Sequence, residues 1–162
     1  MNENNHPVVR FWTVLIAAIA LLICAQFSLA QETNSAKITR LLKQNSYDYI
    51  AKADSVWTVN FTGKSLKSFK IVMASQDDLL VTFVIVAHKK DFDLSSDFMQ
   101  KLLRFNHDLD RVKVGIDEDG DLFVRTDQSI RVLDEKEFKV NTEQVAASAN
   151  EVFAGIASLL KQ

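Results

Sequence analysis

The chain has 162 residues, 48% of them hydrophobic and 25% charged, with a net charge of -2, one Pro and one Cys. This composition excludes a disordered tail, a collagen-like chain and a disulfide-stapled mini-protein. The near-neutral charge gives no global attraction to nucleic acid, and a single long apolar run excludes a polytopic membrane protein.

That run comes first. Residues 1–10 are polar and contain Arg10, Phe11 to Ala25 is uncharged and apolar, and Gln26 interrupts it. Ser28-Leu29-Ala30 then sets small residues at the first and third places of an exit. A positive start, a short apolar stretch and a small-x-small exit are the parts of a secretory signal peptide. The run is shorter than the roughly 20 residues of a spanning helix, which argues against a retained anchor. Residues 1–30 are therefore expected to be cleaved after Ala30, delivering a periplasmic protein with no membrane attachment. Ile23 before Cys24 speaks against a lipoprotein, because lipid attachment wants a small residue there. Cleavage removes the only Cys. Thiol nucleophiles, Cys-ligated zinc and redox chemistry are then excluded, and the domain must be stable through packing alone.

Residues 31–36 are polar and read as a flexible N-terminus, which leaves 37–162 as one domain. Ile38, Leu41 and Leu42 at helical spacing predict a first helix, capped by Asn34 or Ser35 and ended by Asn45-Ser46. Trp57, Val59 and Phe61 alternate with polar residues and predict a strand. Thr62-Gly63-Lys64-Ser65 is a turn, and Phe69, Ile71 and Met73 mark a second strand. Leu79 to Ala87 is a third, apolar on both faces: Leu79, Val81, Phe83 and Ile85 on one, Leu80, Thr82, Val84 and Val86 on the other. Such a strand is central in its sheet, or has its second face covered.

Ser95 or Ser96 caps a second helix with Asp97 in its first turn, and Asn106 reads as a left-handed stop. Its stripe is Phe98, Leu102 and Phe105. Met99 and Leu103 lie to one side and widen the apolar arc to roughly 160°, more than a helix lying on a sheet requires. Packing against the first or last helix would absorb them; otherwise they form a partner surface. Val112 to Ile116 and Leu122 to Thr126 form a hairpin. Keeping Val112, Val114, Ile116, Leu122 and Val124 on the core side requires Ile116 opposite Leu122 and Val114 opposite Val124, with Gly120 left-handed in the turn. An irregular stretch follows to Val140. A last helix, starting at Asn141 or Thr142, carries Val145, Ala149, Val152, Ile156 and Leu159 on one face. The order α-β-β-β-α-β-β-α predicts an α+β fold with an antiparallel sheet.

No motif of catalysis emerges. Gly63-Lys64-Ser65 lacks the earlier glycine of a phosphate loop, with Thr58 in its place, and lies between strands. Asp117, Asp119 and Asp121 alternate like a calcium loop, but Leu122 stands where that loop needs Gly and Gln128 where it needs Glu. His88 and His107 sit beside charged residues with no HExxH or GxSxG pattern, and read as surface residues. Asn60-Phe61-Thr62 is a glycosylation sequon inside a strand, and is read as incidental. Charge is uneven, with seven Lys/Arg against two Asp over residues 36–70 and eleven against seventeen acidic residues over 71–162; solvated faces account for it.

The run Leu102-Leu103-Arg104-Phe105-Asn106 followed by Val114-Gly115-Ile116-Asp117-Glu118-Asp119-Gly120-Asp121-Leu122 resembles the YbjN family. It is also similar to the class I type III secretion chaperones, in which a helix ends in a comparable Leu-Leu run before a hairpin with an Asp-x-x-Gly turn. The likeness covers residues 37–161. It implies the secretion-chaperone-like fold, no catalytic residues, extended protein segments as ligands, and dimerisation through the second helix and its neighbouring strands. The reading that results is a non-enzymatic, exported protein- or peptide-binding domain with a chaperone-like or regulatory role. It needs no metal or cofactor and binds no nucleic acid, and a homodimer would use Met99 and Leu103. The alternative is a small periplasmic hydrolase whose carboxylates meet only in the fold. A deep polar pocket would favour the hydrolase; a shallow apolar groove or bare sheet face would favour binding.

Overall fold

The computed structural model describes residues 32–161; the expected signal peptide and its cleavage site after Ala30 lie outside them. The elements are α1 (Asn34–Gln44), β1 (Tyr49–Ala53), β2 (Val56–Phe61), β3 (Phe69–Gln76), β4 (Leu79–Ala87), α2 (Ser96–Asp108), β5 (Lys113–Ile116), β6 (Leu122–Ser129) and α3 (Glu135–Ile156). One antiparallel sheet runs in the order β1-β2-β3-β4-β6-β5. The expected succession holds with one strand more. β1 is an edge strand, exposed at four of its five positions, so its sequence carries no apolar alternation to betray it.

Residues 34–36 belong to α1 rather than to a flexible tail. Asn34 Nδ2 donates to the Asp77 carbonyl at 2.7 Å and Ser35 Oγ donates to the Asp54 carbonyl, so two strand turns hold the first helical turn. The helix stops where Asn45-Ser46 predicts. Ser46 takes φ 57, its N–H reaches the Lys43 carbonyl at 3.0 Å, and the Tyr47 N–H reaches Leu42 at 3.1 Å, a left-handed cap.

Ser95 caps α2, accepting the Phe98 N–H at 3.2 Å. Asn106 does not end this helix. It lies inside it and turns its side chain onto the edge strand, accepting the Val114 N–H at 2.9 Å and donating to the Val114 carbonyl at 2.7 Å. Those two backbone groups, on the last strand of the sheet, would otherwise lack a partner.

The last helix starts earlier than expected. Asp134 is its N-cap, accepting the Glu137 N–H at 2.8 Å, and Glu135 and Glu137 lie in its first turn, where the helix dipole favours them. Asn141 and Thr142, the expected caps, are buried mid-helix. Asn141 Nδ2 donates to the Glu137 carbonyl at 2.7 Å and Thr142 Oγ1 to the Phe138 carbonyl at 2.8 Å, so each satisfies itself one turn back.

The hairpin has the expected register, with Val114 opposite Val124 and Ile116 opposite Leu122. Gly120 closes the turn at φ 88, donating to the Asp117 carbonyl at 3.1 Å.

β4 is an interior strand, and its core face is the one carrying Leu80, Thr82, Val84 and Val86. Together with Trp57, Ile71, Met73, Leu122 and Val124 these residues meet α3, which packs on β4 and β6. Ile38, Leu41 and Leu42 of α1, and Phe98 and Leu102 of α2, complete the same core. All three helices of the described residues thus serve one face of the sheet. Tyr47 sits between Phe61 and Phe138, and burial, then the Glu143 charge, pushes its phenol pKa up. Among the described residues no helix is long and apolar enough to cross a membrane.

Candidate functional site

Two surfaces stand out once the core is assigned. The first is the flank of α2. Phe98 and Leu102 are buried and Phe105 is half-buried, its ring lying where a side chain on Gly155 of α3 would go. The contact with the last helix is therefore made by Phe105. Met99 and Leu103, one turn apart, do not share in it: they are 43% and 68% exposed. Burying what remains exposed of these two side chains against a partner would be favourable by about 1–2 kcal/mol each.

The second surface is the outer face of the sheet. Val81, Phe83 and Ile85 of β4 and Phe123 and Arg125 of β6, with Asp117, line a groove of about 200 Å³. The register sets Phe83 beside Val72 and Arg125, Ile85 beside Phe123, and Val81 beside Ala74 and Asp127. Gly115 faces Phe123, and a Cβ there would stand 2.9 Å from the ring, so the missing side chain is what lets the ring lie down. Lys113 Nζ and Arg125 Nη2 both reach Asp127 Oδ2, at 2.7 and 3.2 Å, and the Arg125 guanidinium lies 5.6 Å from the centre of the Phe123 ring. Arg125 Nε and Asp127 Oδ1 are buried and make no hydrogen bond. Sequence reasoning did not single out this cluster. Its signal was present, because the expected hairpin register places Lys113 opposite Arg125.

The remaining candidates disperse. Asp117 Oδ1 accepts the Asp121 N–H at 2.8 Å, inside its own turn. Asp121 turns away to the end of β4, accepting the Lys89 N–H at 2.8 Å and pairing with His88 Nδ1 at 2.7 Å. The Lys89 N–H first, and the His88 side chain second, hold the Asp121 carboxyl below its ordinary pKa. His88 is 62% exposed and His107 lies exposed in the last turn of α2. Among the described residues no three His, Cys, Asp or Glu side chains gather in a way that could hold a metal ion. Gly63 to Ser65 is a turn between strands, held from α3 by Asn150 Oδ1, which accepts the Ser65 and Leu66 N–H groups at 2.7 and 3.2 Å.

Residues 34–158 match the YbjN family, described as "Putative bacterial sensory transduction regulator". No curated protein matches the sequence. Among solved structures, YbjN from E. coli superposes with a TM-score of 0.56 at 14% identity, covering 77% of this chain and 93% of that one. A chain of the heterodimeric ExoU–SpcU complex from the type III secretion system of Pseudomonas aeruginosa gives 0.53 at 18%, covering 75% and 96%. The Yersinia pestis type III secretion chaperone SycH, solved with a fragment of YscM2, gives 0.52 at 13%, covering 74% and 99%. At these identities the likeness is one of fold; it is the fold that the resemblance implied, and it agrees with the α+β antiparallel architecture expected from the order of elements.

Proposed function

The chain belongs to the YbjN family, and from that premise we propose that it is a non-enzymatic protein- or peptide-binding domain, exported to the periplasm and released from its signal peptide after Ala30. The observation that carries the reading is the exposure of Met99 and Leu103 on a helix whose neighbours are already packed. Solvent-facing Met and Leu one turn apart are what an interface centre is made of. The similar folds in the ExoU–SpcU complex and in SycH with its YscM2 fragment both occur bound to other proteins. Shallow surfaces and dispersed carboxylates suit a binding role better than hydrolysis. The role requires no metal or cofactor, and the helix flank serves a second copy of the chain.

Light scattering with circular dichroism tests this. The wild type is expected to be a dimer, and Met99→Asp with Leu103→Asp a folded monomer. A wild-type monomer, or a double variant that remains dimeric, overturns the assignment of the flank. N-terminal sequencing of the exported protein is expected to begin at Gln31; a chain that still begins at Met1 overturns the cleavage.

A further inference from the structure

The outer face of the sheet offers a second site, with its own chemistry. We propose that the groove between β4 and β6 seats one segment of a partner polypeptide that carries a large apolar side chain next to a carboxylate. This deepens the protein-binding reading, on which it rests, by naming where a ligand segment lies and what it must contain.

Three observations converge. The floor of Val81, Phe83, Ile85 and Phe123 is apolar and open, on a face that no helix among the described residues covers. Its volume of about 200 Å³ falls below the roughly 300–1,000 Å³ of small-molecule pockets and suits a side chain rather than a cofactor. The electrostatics are unbalanced, because Lys113 and Arg125 share one oxygen of a single carboxylate, Asp127 Oδ2, leaving one positive charge in excess at this end of the groove. The polar atoms are unbalanced too. Arg125 Nε is a buried donor with no acceptor, and Asp127 Oδ1 a buried acceptor with no donor. Each costs free energy until it is paired. A ligand carboxylate makes its charge-assisted bond to the accessible part of the Arg125 guanidinium, whose side chain is 41% exposed, and a backbone N–H beside it donates to the Asp127 carboxylate. A peptide presents both groups within one residue, whereas a simple fatty acid presents only the first. Asp117, at the hairpin end of the groove, repels a carboxylate there and so sets the polarity of the segment.

The test follows backbone amide chemical shifts of the purified protein by NMR as acetyl-Gly-Phe-Leu-Asp-Gly-amide is added. Shifts are expected to concentrate at Val81, Phe83, Phe123 and Arg125. Replacing the peptide Asp by Asn, or making Arg125→Gln, is expected to weaken binding about tenfold. Replacing the peptide Phe and Leu by Ser should abolish it. Gly115→Ala, which displaces the Phe123 ring from its seat, serves as a second variant and should weaken binding without changing the circular dichroism spectrum. Shifts that map to the α2 flank, or affinity unchanged in both variants, overturn the site but leave the protein-binding reading intact. Octanoate reproducing the same shifts at the same concentration overturns the peptide in favour of an amphiphile. The α2 double variant fails or succeeds independently of all of these outcomes.

Discussion

Phe83 and Val84 are neighbours on the same strand and meet opposite fates. Val84 is fully buried under α3, while Phe83 lies in the open groove of the outer face. The same holds across the pair β4 and β6, where Val84 opposes Val124 inside and Phe83 opposes Arg125 outside. Apolar character along the strand does not by itself tell the faces apart: Ile85 opposes Phe123 in the open groove, while buried Leu80 opposes Gln128, and it is the helices that decide which face is core. The inner face is a core because α1, α2 and α3 pack on it and bury its apolar side chains. The outer face mixes apolar rows with a charged cluster whose hydrogen bonds are incomplete, which is the mark of a surface awaiting a partner rather than of a second core.

The strongest way to break this comparison is to truncate one large residue on each face. Trp57→Ala empties a position that is 1% exposed and should cost about 3–5 kcal/mol in urea unfolding. Phe83→Ser, on the outer face, should cost less than about 1 kcal/mol. Similar losses for the two would mean that the outer face is also packed, and the groove would lose its standing as a binding surface.

How far this was legible in the sequence depends on the range of the interaction. Local signals read well: the Ser95 cap, the Ser46 stop and the Gly120 turn each rest on a few adjacent residues and were found where expected. The hairpin register followed from keeping five apolar side chains inward. Asn141 and Thr142 misled because a good capping residue is also a good buried one when it bonds one turn back, while the Asp134 to Glu137 signal stood seven residues earlier. Asn106 misled in the same way, since its partner is a strand backbone that no helical pattern can announce. Of the candidate surfaces, the surplus arc at Met99 and Leu103 was visible on a helical wheel. The β4 groove was not, because choosing which face of an all-apolar strand is bare needs the three helices in place.

The edge at β5 gives a second, smaller test, at the margin where the two faces meet. Asn106→Ala leaves the Val114 N–H and carbonyl without their partner, and should cost about 1–3 kcal/mol. Hydrogen exchange at the Val114 amide should quicken in step with that loss. An unchanged exchange rate would mean that water replaces the side chain at no cost, and that the edge is not held by α2.

The smallest effect lies at the tip of the same hairpin, where Asp121 ties the β5–β6 turn back to the end of β4. The Lys89 N–H and the His88 side chain lower the Asp121 pKa in the folded protein. A carboxyl whose folded pKa is depressed adds stability that is fully present above its unfolded value, about 3.9, and that disappears as the pH falls through the lower, folded value. The wild type should therefore exceed Asp121→Asn in stability at neutral pH, and the margin should shrink as the pH drops below about 4. Asn keeps an acceptor for the Lys89 N–H, so whatever difference survives in acid measures the geometry of the tie rather than its charge. Urea unfolding of both proteins across that range reads the change directly. A margin that stays constant with pH would show that the tip is held without the carboxylate charge. In that case the turn is held by its own backbone and by Asp117, whose side chain accepts the Asp121 N–H within it.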